Sequence, residues 1–405
     1  MTFKTINTSV LYWQCGFTSQ SYIGHTINIF NSAISADVFF EDYWQKKPLL
    51  IRGAFANEFI ENLITPEELA GFALEDEIES RLITQFENQW DLTHGPLDES
   101  VFAALPEENW TLLVQSLDYF HEPLHQLIQA CDFMPRWRLD DVMVSFASDQ
   151  GSVGPHLDQY DVFLIQGSGT RRWRVGEKNQ AITKHSPHPE ISQIKAFATD
   201  LDITVKAGDL LYIPPNTPHW GESIGDSICY SVGFRAPNLE ALTQQLLEES
   251  NEQLSSLWSD KDILSASNSG GEVNAQISDW VGNEIHKLTI DNKLNIAVGK
   301  EVTQLKYPEL LAEVSLCEAQ ELSELAFVAS FKLNSISRLA YFKEENDLMV
   351  FANGHYISTS ADVLELVIAL NNYETIRLEN FNINRDVIRN FLYELILTTA
   401  LEFVE

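Results

Sequence analysis

Basic residues are scarce in this chain of 405: 26 Lys and Arg stand against 59 Asp and Glu, a formal net charge of −33. Nucleic-acid binding needs Lys and Arg to neutralise phosphates, so direct contact with DNA or RNA is disfavoured. Encounter with a basic partner is favoured instead, an acidic surface kept for solubility being the plainer alternative. Cysteine is scarce as well. Cys15, Cys131, Cys229 and Cys317 lie far apart with no Cys-x-x-Cys pair, which removes support for structural zinc or a disulfide framework and fits reduced thiols in a cytoplasm. No run of about 18 apolar residues occurs, so no membrane span is expected. The start, Met1-Thr2-Phe3-Lys4, lacks the basic stretch and apolar core of a secretion signal. Core-forming residues are plentiful: hydrophobic content is 44% and aromatic content 11%, enough for two or three folded domains.

Residues 1–35 carry few signals and read as an extension over the surface or a strand added to a sheet edge. From Asp37 a short amphipathic helix is followed by a break at Pro48 and a buried strand through Leu49, Leu50 and Ile51. Thr65-Pro66 reads as a helix N-cap with proline in the first turn. Residues 80–86 alternate like a strand, and 110–128 read as a helix on Leu112, Leu113, Leu117 and Phe120. Then come a strand at 161–166, a turn at 167–170, a return strand at 171–175, and strands at 205–213 and 227–234. Several strands with Gly and Pro turns suggest a double-sheet jelly roll, the cupin architecture. Beyond Pro237, Leu239, Leu242, Leu246 and Leu247 recur with helical spacing. A polar linker at 265–271 and helices at 277–290 and 294–305 follow. The last segment reads as a helix, strands near Phe331, 338–343 and 347–351, then helices from Ala361 and over 385–403. The fold class is α+β, divided into 1–236, 237–315 and 316–405.

Chemistry concentrates in one stretch and its answer. Gly154-Pro155-His156-Leu157-Asp158-Gln159-Tyr160 puts His156, Asp158 and Tyr160 on one face if the segment is extended. Some sixty residues later, Gly208-Asp209-Leu210-Leu211-Tyr212-Ile213-Pro214-Pro215 leads through Pro218 to His219. A His-x-Asp pair with a distant second His is the facial triad of non-haem Fe(II) oxygenases. The plainer reading makes His156 and His219 satisfied core histidines. His185 and His188, in a Pro-containing loop, read as solvent-facing.

These two segments, with Trp44-Gln45-Lys46-Lys47-Pro48 upstream and Ser231-Val232-Gly233-Phe234-Arg235-Ala236-Pro237 downstream, resemble the JmjC-domain oxygenases. Within that family the chain is most similar to the bacterial ribosomal oxygenases, which hydroxylate an arginine of large-subunit ribosomal protein L-sixteen at its 3-position. The resemblance implies Fe(II), 2-oxoglutarate and O2, with His156, Asp158 and His219 as metal ligands and catalytic centre. It implies that Arg171 binds the distal carboxylate of 2-oxoglutarate, since a guanidinium grips carboxylate with two parallel bonds. Ser145 resembles the family's hydroxyl donor, and Cys229 and Ser231 flank the co-substrate. Arg172 and Arg174, of opposite parity, read as surface charges. For the substrate, Asp141 offers an acceptor for a guanidinium, and Met143 and Tyr160 offer apolar walls for its stem; a buried Met and Tyr with a strand-end Asp is the plainer reading. The resemblance further implies a homodimer formed through 237–315 and a winged-helix module at the end. Glu374, Glu379, Asp386, Glu394, Glu402 and Glu405 argue against DNA reading there. Histidyl hydroxylation, a non-catalytic cupin-type binding protein and a winged-helix regulator with a cupin sensor are the alternatives.

Overall fold

The structure, a computed structural model, describes residues 12–14, 29, 34–87, 89–250, 276–290 and 292–404; the expected linker at 265–271 and most of the 1–35 extension lie outside them. The chain divides into two compact units, Met1–Ala236 and Pro237–Glu405.

In the first unit, β1 (Tyr12–Gln14) lies parallel to β2 (Leu49–Arg52) at the edge of the main sheet, the edge position expected for this extension. Between them, α1 (Ala36–Asp42) starts where the Ser35 hydroxyl accepts from the Val38 amide. After α2 (Asn57–Ile60), α3 (Pro66–Phe72) opens on a reciprocal capping box in which Thr65 and Glu68 satisfy each other's backbone amides. Strands β3 (Ser80–Phe86) and β4 (Gln89–His94) pair as a hairpin, and the short α4 (Glu99–Ala103) follows. Residues 110–128 are not one helix. They form β5 (Trp110–Val114), a single 3-10 turn and α5 (Glu122–Gln129). Left-handed Asn109 (φ 67) and Ser116 (φ 52) bracket the strand, and a helix cannot pass through such residues.

β6 (Leu139–Ala147) and β7 (Val162–Gly176) follow. β7 is a single strand of fifteen residues, where a turn at 167–170 was expected. Its first half pairs with β11 (Leu210–Ile213) and its second half with β10 (Thr199–Lys206). β12 (His219–Phe234) runs antiparallel to both halves, with register shifts between Ile224 and Cys229. The glycines bend the strand without reversing it. Gly169 has φ +66, and a Cβ there would lie 2.1 Å from the Asp226 carbonyl oxygen, so only glycine lets the two bent strands stay paired. Folding two long strands over themselves in this way makes the jelly roll. The single strand expected at 205–213, by contrast, is split by a turn into β10 and β11. His185 and His188 lie on β8 (Lys184–His188), paired with β9 (Ile191–Ile194), and not in a loop.

Strand parity separates two cores. Leu50, Leu164, Trp173, Ile203, Leu211 and Cys229 pack together inside the roll. Their chain neighbours Leu49, Ile51, Phe163, Ile165, Leu210, Tyr212 and Tyr230 pack outward against Phe39, Ile60, Leu69 and Leu124 of the helices. Each such side chain contributes about 1.5–3 kcal/mol by leaving water.

The second unit holds α6 (Leu239–Glu249), α7 (Gln276–Leu288) and α8 (Lys293–Val302), with Lys300 of α8 paired to Glu249 at 2.5 Å. Helix α9 (Leu316–Leu325) precedes β13 (Ser330–Leu333), and β14 (Leu339–Lys343), β15 (Asp347–Ala352) and β16 (His355–Ser360) form a meander. Then come α10 (Leu364–Asn371), α11 (Arg385–Leu397) and β17 (Leu401–Val404), the last paired with β13. The helix expected over 385–403 therefore stops early, because Thr399 is left-handed (φ 60).

Candidate active site

His156 and Asp158 sit on an irregular segment, not on the strand expected for 156–160, and β12 begins at His219 itself. The two histidines nonetheless form a one-residue antiparallel bridge: each backbone amide donates to the other's carbonyl at 3.0 Å. Asp158 is tied across the same gap, its carbonyl accepting from the Asn216 amide at 2.7 Å. Asp161, fully buried, accepts from the Tyr212 hydroxyl (2.6 Å) and the Gln45 side-chain amide (3.0 Å), while Trp44 stacks on Tyr212. The three sequence segments around 44–48, 154–163 and 208–219 are thus one network that holds the loop carrying Asp158.

Nitrogen and oxygen atoms of His156, Asp158 and His219 all lie within 4.8 Å of one another. Asp158 Oδ2 is 3.4 Å from His219 Nε2 and Oδ1 is 3.9 Å from His156 Nε2. The Nδ1 atoms face the Gly154 carbonyl (3.0 Å) and the Thr217 carbonyl (2.9 Å). A carbonyl only accepts, so each Nδ1 carries the proton and each Nε2 presents its lone pair to the centre. Burial, then the neighbouring His156, push the His219 pKa down to about 4, against the opposing pull of Asp158; at neutral pH the ring is neutral, the form that binds metal. Two imidazoles and one carboxylate on one side fit a divalent first-row ion with open positions opposite.

Deeper in the roll, Arg171 is 7% exposed. Its guanidinium donates to the Ser227 hydroxyl (Nε, 2.9 Å), the Ser145 hydroxyl (Nη1, 2.9 Å) and the carbonyls of both serines (3.2 and 3.3 Å). No carboxylate among the described residues pairs with it. Burial lowers its pKa, with the nearby Cys229 pulling the other way, yet a guanidinium stays charged. A buried cation held only by neutral acceptors suits an anion that arrives with the ligand. Arg172, by contrast, pairs with Asp202 at the surface, and Arg174 with Glu222.

Trp173, two residues further along β7, reaches His219. Its ring lies 5.9 Å from that of His219 and over Gly221, where a Cβ would come within 2.6 Å of it. Its indole N–H is buried with no partner among the described residues, which again suits a missing ligand. Sequence reasoning does not single out Trp173 or Ser227; Trp173 follows Arg171 by two residues on β7, and Ser227, opposite Ala147 of β6, reaches Arg171 across strands.

Asp141, Met143 and Ser145 share the inner face of β6, with Cys229 and Ser231 opposite Ser145 and Met143 on β12. Asp141 and Ser145 are each 3% exposed and Ser231 9%. Tyr160 is half-exposed. Desolvation first, then the charges of Asp158 and Asp141, push its phenol pKa up, with Arg81 acting in the other direction.

A jelly roll with this triad and a buried internal cation defines the class of Fe(II)- and 2-oxoglutarate-dependent oxygenases. A JmjC domain matches residues 126–242 and a ROXA-like winged helix matches 285–402. The ribosomal protein uL16 3-hydroxylase of Escherichia coli is 48% identical over 204 residues, 50% of this chain and 53% of that protein; in that match the chain spans about half the length of its relative. A probable ribosomal oxygenase of Haemophilus influenzae is 32% identical over 336 residues, 80% of this chain and 82% of that one. YcfD, a ribosomal oxygenase from Escherichia coli in complex with cobalt and 2-oxoglutarate, superposes with a TM-score of 0.77 at 31% identity, covering 92% of this chain and 99% of that one. The chain belongs to the ribosomal oxygenase family.

Proposed function

We propose that this protein hydroxylates an arginine of large-subunit ribosomal protein uL16 at its 3-position, with Fe(II), 2-oxoglutarate and O2. Fe(II) with 2-oxoglutarate and O2 supplies the oxidising power for an unactivated C–H bond; the chain's residues bind, orient and shield. His156, Asp158 and His219 would hold the metal on one face. Arg171, supported by Ser145 and Ser227, would take the far carboxylate of 2-oxoglutarate, beside Cys229. The observation that carries the substrate choice is Asp141, a buried carboxylate on the inner face that also bears Ser145. It suits a guanidinium better than an imidazole, because a guanidinium is always charged and offers five N–H donors. Met143 would line the aliphatic stem, with Tyr160 and Ser231 beside it. The charge of −33 favours encounter with a basic protein in the cytoplasm rather than with RNA.

The test is intact and fragment-ion mass spectrometry of recombinant uL16 incubated with this protein, Fe(II), 2-oxoglutarate and O2. A gain of one oxygen on an arginine is expected; a gain on histidine alone, or none, would overturn the assignment. We read residues 237–315 as the dimerising segment, because α6 and α7 expose Leu239, Leu247, Val281 and Ile285. Light scattering should then return twice the chain mass of 45.9 kDa.

A further inference from the structure

Deepening that reading, we infer that Gln115 and Ser116 are positioning residues that set the plane of the Asp141 carboxylate and so determine selection of an arginine. Both donate to the same oxygen: Gln115 Nε2 lies 2.7 Å, and Ser116 Oγ 2.5 Å, from Asp141 Oδ2. The terminal torsion of an Asp is otherwise broad. Two donors converging on one oxygen fix it, and a guanidinium, whose N–H donors lie in one plane, is met best by a carboxylate whose own plane is fixed.

Two features show that this arrangement is specified. Ser116 is fully buried in the left-handed region, φ 52 and ψ 36, where glycine is the unstrained choice. A serine kept there, at the end of β5, delivers a hydroxyl that glycine lacks, and strain held at a buried polar contact points to a site. Gln115 is locked the right way round. Arg81 Nη2 lies 3.4 Å from its Oε1, and only with the oxygen toward the guanidinium and the amide nitrogen toward Asp141 are both neighbours satisfied. Gln115 therefore stands between Arg81, on the neighbouring strand β3, and Asp141. Through its two ends Gln115 links the Arg81 guanidinium to the Asp141 carboxylate.

The experiment compares wild type with Ser116→Gly, Gln115→Met and Asp141→Asn, all with native metal loading. It reads kcat and KM for uL16, KM for 2-oxoglutarate, Tm, and uL16 binding to the Mn(II)–2-oxoglutarate complex without O2. Glycine fits the left-handed site without strain, which offsets part of the cost of the lost hydrogen bond, so Ser116→Gly retains its fold with at most a modest fall in Tm. Ser116→Gly and Gln115→Met should each raise KM and Kd for uL16 roughly tenfold, with kcat within about twofold and KM for 2-oxoglutarate unchanged. Unchanged uL16 binding in both variants, beside weakened binding in Asp141→Asn, would overturn this inference alone. Unchanged binding in Asp141→Asn would overturn the role of Asp141 and the inference with it. Loss of Tm in Ser116→Gly without a change in KM would make the serine merely structural, and this too would overturn the inference.

Discussion

Asp158→Ala is expected to lower hydroxylation on the order of 10³-fold or more and to abolish tight binding of Mn(II) or Co(II), read by calorimetry. Partners that only orient a metal ligand typically cost roughly 10–100-fold when removed, and Asp158 is an expected ligand itself. Its carboxylate is also the only negative charge in the set of three. Two neutral imidazoles left behind, 4.2 Å apart between ring centres, would hold a divalent ion without charge compensation. Burial should not confound the result. The Asp158 side chain is 20% exposed, and its backbone bond to Asn216 survives the change, so the fold is retained. Wild-type metal affinity in Asp158→Ala would sink the assignment of the centre.

Arg171→Met carries the second large effect. Methionine fills much of the same space but offers no charge. The carboxylate of 2-oxoglutarate would then enter a desolvated slot with no counter-charge, and breaking one side of a buried ion pair costs about 3–5 kcal/mol. KM for 2-oxoglutarate should rise by roughly two to three and a half decades at about 1.4 kcal/mol per decade, while Mn(II) binding in the absence of 2-oxoglutarate stays intact. The apoprotein gives an independent signature. Removing a cation that has no carboxylate partner among the described residues relieves its desolvation cost, and this offsets the hydrogen bonds lost at Ser145 and Ser227. Tm should therefore change little. A wild-type KM for 2-oxoglutarate would refute the co-substrate role.

The cluster of His156, Asp158 and His219 is legible in the sequence because its spacing is local. A His-x-Asp beside Gly-Pro, and a His after a Pro-rich turn, need no knowledge of tertiary structure. Arg171 is also picked out, but by resemblance; the turn expected just before it does not exist, since β7 continues through Gly167-Ser168-Gly169-Thr170. Glycine content there signals a bend, and whether a bend reverses the chain depends on a partner strand that follows it, in this case β12. The misread helix at 110–128 has the same origin. Leu112, Leu113 and Leu117 satisfy helical spacing, and only the left-handed Asn109 and Ser116 exclude it. Gln115, Ser116 and Ser227 lie outside any motif, because their relations to Asp141 and Arg171 run across strands; Trp173, on β7 with Arg171, reads in the sequence as an ordinary core aromatic.

The bridge between the two histidines has an implication for design. Each ring takes its orientation from a carbonyl two residues earlier in the chain, and in both cases the residue between is proline: Gly154-Pro155-His156 and Thr217-Pro218-His219. Proline fixes its own φ and has no N–H of its own, so the preceding carbonyl is held in place for the ring. The tautomer of each ligand is therefore encoded in three residues, and the spacing of the pair in a single backbone bridge. Much of this half-site is local: two such tripeptides joined by a one-residue bridge, with glycine's left-handed backbone at the head of one of them, should present two imidazoles in the same tautomer, leaving a designer to supply only the carboxylate.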